Sequence, residues 1–97
     1  MLCALTVRRL RAGVSLDDFE RAWRLDAMPP GWVRAYTVRR LEDPAEIVSF
    51  GFFDGSIDDL RRSQREFDYA GQRRRTDELV ESTGADGVYE VVLEQGG

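Results

Sequence analysis

The chain has 97 residues and a formal net charge of −4 at pH 7, and 42% of its residues are hydrophobic while 33% are charged. This length predicts a single domain over residues 1–97, and the composition is ordinary for a globular protein. The acidic balance argues against nucleic acid as a partner, because proteins that bind nucleic acid usually carry a basic footprint.

Three residue types are missing from the sequence, and their absence excludes several kinds of chemistry. There is no His, Lys or Asn, and all 14 basic residues are Arg. Without Lys the chain cannot form a Schiff base. Without His it can form neither a Ser–His pair nor a His-based zinc site. We therefore expect no metal and no cofactor.

The N-terminal sequence and the cysteine content bear on location. Cys3 is the only cysteine, so no intrachain disulfide can form and a reducing compartment suits the chain. The start MLCALTVRRL lacks the basic segment and the cleavage site of a signal peptide. No apolar run approaches the roughly 18 to 20 residues that cross a bilayer. We expect a cytoplasmic protein without membrane contact.

The first two elements are predicted to be a strand and a helix. Residues 2–10 are rich in β-formers and predict the strand. Apolar residues recur at helical spacing over residues 15–27, which predicts the helix. Ser15 followed by Asp18 resembles a capping box at its start, and the prolines of residues 28–31 end it.

A β-hairpin and further helical segments are predicted to follow. The hairpin strands are residues 32–41 and 46–53, joined by the turn-like residues 42–45. Ser56 with Asp59 again resembles a capping box, and the helix that it begins extends to about residue 70. The remaining segments are a further helix, or a continuation of this one, over residues 72–83, a loop over 84–87 and a fourth strand over 88–94.

The order β-α-β-β-α-β is the split βαβ, or ferredoxin-like, pattern of an α+β fold. It predicts a four-stranded antiparallel sheet with both main helices on one face. The other face of the sheet is left bare, so it needs a cover from outside the chain.

The third strand is apolar on both faces. Because side chains alternate along a strand, one face carries Ile47, Ser49, Gly51 and Phe53, and the other carries Val48, Phe50 and Phe52. We expect the helices to cover the first, smaller set and to leave a cavity above Gly51. The second set would form an exposed apolar patch, which predicts a homodimer with these three residues at its interface. The alternative is a monomer with a half-covered sheet.

The candidates for lining a ligand cavity combine aromatic rings, polar groups and small residues: Trp23, Trp32, Arg34, Tyr36, Ser49, Gly51, Phe53 and Tyr69. Tyr36 is expected to share a face with Trp32 and Arg34. A Tyr–Arg pair could stabilise a developing enolate or phenolate on an aromatic substrate. The alternative for each ring is ordinary core packing. The Arg runs, such as Arg8-Arg9, are expected to form a solvated ion-pair surface.

Several motifs accompany this pattern. One helix ends in MPPGW, and the strand EIVSFGFFDGS runs into the next helix. With these motifs, essentially the whole chain resembles the dimeric α+β barrel superfamily, and within it the antibiotic biosynthesis monooxygenase-like domains. Phe53, Asp54 and Ser56 match the aromatic residue, the acid and the serine that family members often have at this position, with one glycine inserted and Phe in place of Trp. Pro30-Gly31 before an aromatic residue is a second match.

The resemblance implies a homodimer in which two sheets pack into a barrel, with a ligand cavity between helices and sheet in each chain. Enzymes of the family oxidise polycyclic aromatic substrates with molecular oxygen and use neither metal nor flavin. A heme-degrading branch uses a His and an Asn, and this chain contains neither.

Two functions are therefore open. The first is a cofactor-independent monooxygenase-like protein acting on a small aromatic or polyketide-like molecule in the cavity. The second is a non-catalytic, dimeric small-molecule-binding or structural protein of the same fold. The resemblance favours the first, whereas the missing His, Lys and Asn favour the second. A cavity of roughly 300 Å³ or more, with Tyr and Arg pointing into it, would support a ligand site.

Overall fold

The structure is a computed structural model that describes residues 1–96. Its elements, in chain order, are β1 (Leu2–Leu10), α1 (Leu16–Trp23), β2 (Trp32–Arg39), β3 (Glu46–Phe53), α2 (Ile57–Glu66), α3 (Tyr69–Asp77) and β4 (Val80–Glu90). The four strands form one antiparallel sheet in the order β2-β3-β1-β4. The predicted ferredoxin-like α+β fold is confirmed. Within residues 1–96, no helix is both long and apolar enough to cross a membrane.

The helix starts follow the sequence closely, whereas the end of the first helix does not. The capping boxes at Ser15 and Ser56 are both present, each with an Asp three residues later. The helix α1 ends at Trp23 instead of residue 27. The Gln72 side-chain amide donates a hydrogen bond to the Trp23 carbonyl, which gives one of the unpaired carbonyls at the helix end a partner.

The second helical region is divided where one continuous helix extending to about residue 70 was predicted. Asp68 adopts the left-handed conformation, with φ of 56° and ψ of 54°, between α2 and α3. Its side chain accepts a hydrogen bond from the Gly71 amide and so caps α3. The helix predicted over residues 72–83 is thus α3, and it begins and ends earlier than expected.

The fourth strand differs most from the prediction. β4 begins at Val80 and ends at Glu90. Residues 84–87, which were predicted as a loop, therefore belong to the strand. The strand predicted over residues 88–94 begins and ends later than the observed one. Residues 81–86 are all exposed, so the segment carries no alternating apolar pattern. Hydrogen bonds to β1 hold it in the sheet, with a register irregularity opposite residue 7.

The helices cover one face of the sheet and leave the other face uncovered in the single chain. We call the face that carries Thr6, Ile47 and Ser49, all buried beneath the helices, the helix face. The core cluster of this face joins Leu10, Phe19 and Ile47. We call the other face, which carries Val48, Phe50 and Phe52, the open face; these three side chains are only partly buried in the single chain.

Gly31 fixes the entry of the chain into β2. Its φ is +93°, and a Cβ placed on it would lie 2.5 Å from Cε2 of Phe53. Its carbonyl oxygen accepts a hydrogen bond from the Asp54 amide at 2.8 Å. Both the backbone conformation and the close approach of Phe53 therefore require glycine here.

A pair of glycine substitutions separates these two requirements. Gly13 has a φ of +84° but nothing within 4 Å of a built Cβ. We expect Gly13→Ala to lower the free energy of unfolding by about 1–2 kcal/mol, from backbone strain alone. Gly31→Ala should cost about 1–3 kcal/mol more, because the Phe53 ring must also shift. Urea unfolding followed by circular dichroism measures both, and equal losses would show that the Phe53 contact is easily relaxed.

Candidate functional site

A cavity of about 640 Å³ lies between the helix face of the sheet and the helices. Its floor comes from all four strands, and its walls come from α1, α2 and α3. Residues at its edge, such as Glu20, Arg24 and Arg61, are exposed, so the cavity opens to solvent. Its volume lies within the range of small-molecule sites.

One row of the floor consists of small residues. The strand registers place Ala35, Gly51, Ala4 and Val88 side by side across the sheet, and all four line the cavity. Side chains of this size leave the volume above them unfilled. The predicted space above Gly51 is nevertheless partly taken, because Cζ3 of Trp32 lies 3.1 Å from a Cβ built on that glycine.

The neighbouring row of the floor is polar. The registers align Thr37, Ser49, Thr6 and Asp86 across the four strands, and all four line the cavity; we call them the polar row. The hydroxyls of Thr37 and Ser49 are hydrogen-bonded at 3.0 Å. Thr6, by contrast, is 4% exposed and its Oγ1 has no hydrogen-bond partner within the described chain.

The walls are aromatic. Trp23 stacks on Phe19 with ring centroids 5.9 Å apart and meets Tyr69 edge-on at 6.5 Å. On the other side, Trp32 meets Phe67 edge-on at 6.4 Å, and its indole Nε1 donates a hydrogen bond to Ser63 Oγ at 3.0 Å. Phe67 in turn meets Tyr69 edge-on at 6.1 Å, so the rings form one connected aromatic wall that a flat aromatic ligand could contact.

Trp32 and Tyr36 lie on opposite faces of the sheet, although alternation predicted a shared face. The pairing of β2 with β3 shifts register between Trp32 and Arg34, which turns Trp32 to the helix face. Tyr36 pairs with Phe50, and their ring centroids are 5.4 Å apart. Arg34 donates a hydrogen bond to the Tyr36 hydroxyl at 3.2 Å.

The polar group on the wall is formed by Tyr69, Arg73 and Asp86. The Arg73 guanidinium donates hydrogen bonds to both carboxylate oxygens of Asp86, at 3.2 and 2.9 Å, and to the Tyr69 hydroxyl at 3.0 Å. The hydrogen bond to Asp86 raises the pKa of Arg73, and in return it lowers the pKa of Asp86. Since the Tyr69 oxygen accepts from Arg73, its own hydrogen is available to a ligand.

Arg8 lies beneath this wall and is 1% exposed. Its guanidinium carbon is 4.7 Å from the ring centroid of Trp23 and 5.8 Å from that of Phe19. Nε, Nη1 and Nη2 all lack a hydrogen-bond partner within residues 1–96. Burial, and secondarily the nearby charge of Arg73, lowers the pKa of Arg8. The expectation of a solvated Arg surface is therefore wrong for Arg8.

The structure distributes the predicted cavity residues over three locations. Trp23, Trp32, Ser49, Gly51 and Tyr69 line the cavity. Phe53 is buried behind Trp32, with ring centroids 5.1 Å apart. Tyr36 borders the cavity, but its ring packs on the open face, where Arg34 also lies.

Comparison with known proteins gives its only matches at the level of structure. No protein-family model matches the chain, and no curated protein matches it. The cofactor-independent oxygenase SnoaB from Streptomyces nogalater has a TM-score of 0.78 at 15% identity, over 96% of this chain and 94% of that one. A Nitrosomonas europaea protein assigned as an antibiotic biosynthesis monooxygenase has a TM-score of 0.75 at 14% identity, and the match covers 96% of this chain and 100% of that one. A Chloroflexus aurantiacus protein with the same assignment has a TM-score of 0.75 at 15% identity, and the match covers 98% of this chain and 96% of that one.

The chain shares the fold of these antibiotic biosynthesis monooxygenase structures. The resemblance noted from its motifs is thereby confirmed for the fold. At this level of identity the likeness carries no catalytic residue across, so the candidate site must be described from this chain's own side chains.

Four residues in or beside the candidate site were missed by sequence reasoning. Arg8 and Thr6 lie on the same face of β1 as the core residue Leu10, and alternation along β1 is the signal that could have found them. Arg73 and Asp86 were missed because the residues around Asp86 were predicted as a loop. Within residues 1–96, no group of three or more His, Cys, Asp and Glu side chains could hold a metal ion.

The Arg73–Asp86 ion pair predicts a pH-dependent contribution to stability. Because Arg73 lowers the pKa of Asp86 from its ordinary value of 3.8, the pair stabilises the folded chain at neutral pH and loses this contribution as the pH falls through the lowered pKa. We expect Asp86→Asn to lower the free energy of unfolding by about 0.5–1 kcal/mol at pH 7, since the carboxylate is partly exposed.

Urea unfolding of the parent and the variant at pH 7 and near pH 3 checks this, and the difference should shrink at the lower pH. Glu90→Gln is the matched control, because Glu90 lies on the same strand and forms no ion pair within the described residues. A difference between parent and Asp86→Asn that is independent of pH would contradict the assignment.

Proposed function

We propose that this chain binds a small, flat aromatic molecule in the cavity and oxidises it with molecular oxygen without a resident cofactor. The observation that carries the proposal is a cavity of about 640 Å³ whose walls are aromatic rings and whose wall and floor also hold the Tyr69–Arg73–Asp86 group and the polar row. The fold supports it, because one structure with this fold is described as a cofactor-independent oxygenase.

The shape and the lining match such a ligand. The small-residue row leaves room above part of the floor, while the rings of Trp23 and Trp32 provide apolar surfaces in the walls. Aromatic rings in offset or edge-on contact contribute about 0.5–1.5 kcal/mol each beyond the area that they bury. A few polar groups in an otherwise apolar pocket then set the orientation of the ligand.

The proposed reaction oxidises a ring CH₂ group that becomes acidic next to a carbonyl. The CH₂ carbon becomes a carbonyl by taking one atom of O₂, and the second oxygen atom leaves as water with both hydrogens. The intermediate anion carries its charge on the carbonyl oxygen of the substrate. Tyr69 can donate its hydroxyl hydrogen to that oxygen, because the Tyr69 oxygen is already polarised by Arg73.

A non-catalytic binding protein is the second candidate, and one observation favours it. The carboxylate of the polar row, Asp86, is held at a low pKa by Arg73 and is therefore a weak base. The chain also has no His or Lys. On the enzyme proposal the substrate must itself be acidic enough to ionise in the cavity, and only such compounds would be turned over.

Oxygen uptake with anthrone tests the enzyme proposal. Anthrone contains the required CH₂ group, and its oxidation to anthraquinone consumes one O₂ and forms one water. We expect the parent chain to accelerate uptake and ¹⁸O₂ to label the product. Tyr69→Phe should lower the rate about a hundredfold, the range of a lost proton donor.

Tyr89→Phe provides the matched control, because Tyr89 is 47% exposed and pairs with Cys3 on the open side of the sheet. Its rate should equal that of the parent. Binding of anthrone without accelerated uptake would favour the non-catalytic function instead.

We also propose that two copies of the chain associate through the open face. Val48, Phe50 and Phe52 are adjacent there to the exposed side chains of Tyr36 and Val38, which are 43% and 46% exposed. A contiguous apolar patch of this kind is rare on a monomer, and burying it against its own symmetry mate is the simplest cover.

Phe50→Asp and Phe52→Asp place a charge in that patch and should convert a dimer into a folded monomer. Analytical ultracentrifugation measures the change. Leu41→Asp is the control, since Leu41 is 96% exposed and lies in the turn between β2 and β3. If folded Phe50→Asp and Phe52→Asp sediment as the parent does, the interface lies elsewhere.

A further inference from the structure

Arg8 is a buried cation without an acceptor. Its three nitrogens lie beneath the rings of Trp23 and Phe19, and none has a hydrogen-bond partner within the described residues. Contacts with ring faces offset only part of the cost of removing a guanidinium from water. A guanidinium cannot become neutral at working pH, so the site retains its charge.

The neighbouring charges do not neutralise it. Asp86 is bonded through both oxygens to Arg73, so the inner group of Arg8, Arg73 and Asp86 carries one more positive than negative charge. Asp77 lies 3.9 Å from Arg73 Nε and is largely exposed, so it is a weak partner for this group. The group beside the cavity formed by Arg8, Arg73 and Asp86 is therefore net positive, although the whole chain has a net charge of −4. Arg8 itself lies under Trp23 and does not line the cavity.

Along β1, Thr6 is the cavity-lining residue nearest to Arg8. It precedes Arg8 by two residues on the same face of β1, a separation of about 7 Å along the strand. Thr6 lines the cavity, and its hydroxyl is buried without a partner. Thr6 thus has an unused donor within the polar row, and the buried cation of Arg8 lies two residues further along the same face of β1.

We propose that the part of the cavity beside Thr6 is a carboxylate subsite, in which Thr6 Oγ1 donates a hydrogen bond to the carboxylate of an aromatic acid and Arg8 neutralises it. A carboxylate suits the subsite because its charge is opposite to that of Arg8, and because a hydroxyl donates a stronger hydrogen bond to a charged oxygen than to a neutral one. The proposal deepens the proposed function and rests on it, since the aromatic part of the ligand occupies the same cavity. It assigns the substrate class as aromatic acids.

Trp23 is expected to lie close to both the aromatic part and the carboxylate of such a ligand. Its indole lines the cavity on one side and covers the Arg8 guanidinium at 4.7 Å on the other. A carboxylate that reaches Arg8 must therefore change the surroundings of this indole. Binding is expected to alter tryptophan fluorescence, which gives a second measurement of binding in addition to calorimetry.

The test uses two ligands of nearly equal shape, anthraquinone-2-carboxylate and anthraquinone-2-carboxamide, titrated into the full chain by isothermal calorimetry. The parent should bind the carboxylate at least about tenfold more tightly, because hydrogen bonds to a charged group are worth this much. Arg8→Gln should remove the preference by raising the Kd of the carboxylate while leaving that of the amide unchanged. Thr6→Val, which keeps the branched shape, should weaken carboxylate binding alone.

Arg9→Gln is the matched control. It makes the same charge change one residue along β1, at an exposed side chain that pairs with Asp43 and Glu81, and the carboxylate preference should persist.

Each other outcome decides against the subsite. Equal binding of both ligands by the parent overturns it while leaving the aromatic cavity intact, and failure of both ligands to bind overturns the proposed function as well. An equal loss of both ligands in Arg8→Gln would show that Arg8 only supports the Trp23 wall. If Arg8→Gln does not fold, as circular dichroism would show, the parent comparison and Thr6→Val decide.

Discussion

The pairing of β1 on both of its edges is the constraint on which the site depends. β1 is hydrogen-bonded to β3 on one side and to β4 on the other, and these registers place Thr6 between Ser49 and Asp86. Because side chains that face each other across paired strands share a face, the pairing alone creates the polar row. A shift of one residue in the β1–β3 register would move Thr37 and Ser49 to the face opposite Thr6, and the same shift in the β1–β4 register would move Asp86.

The cavity exists because the side chains of the sheet do not fill the space beneath the helices. The small-residue row gives too little bulk to meet α1, α2 and α3, so a void remains over it. The irregularity at the start of β2 turns Trp32 inward, and Gly31 permits the turn that precedes it. The cavity is thus bounded by a backbone irregularity as much as by side-chain size.

The sequence predicted the features that local patterns determine. Both capping boxes, the strands β1 and β3, and the two faces of β3 follow from short-range spacing. It did not predict β4, because the exposed residues 81–86 have no apolar alternation and are strand only through their hydrogen bonds to β1. It also misplaced Trp32 relative to Tyr36, because a bulge breaks the alternation on which the prediction rested.

Arg8 shows why overall charge is a poor guide to a site. The net charge of −4 mainly describes the surface, where Arg21, Arg24 and Arg62 each pair with an acid on the same helix or at its end. The potential inside a cavity depends instead on the few charges that are shielded from water, because these act through a low dielectric. One Arg that the fold encloses without a partner therefore outweighs the acidic surface at that point. In the proposed subsite an acidic protein would select an acidic ligand, through β1 and not through the exposed Arg runs of the sequence.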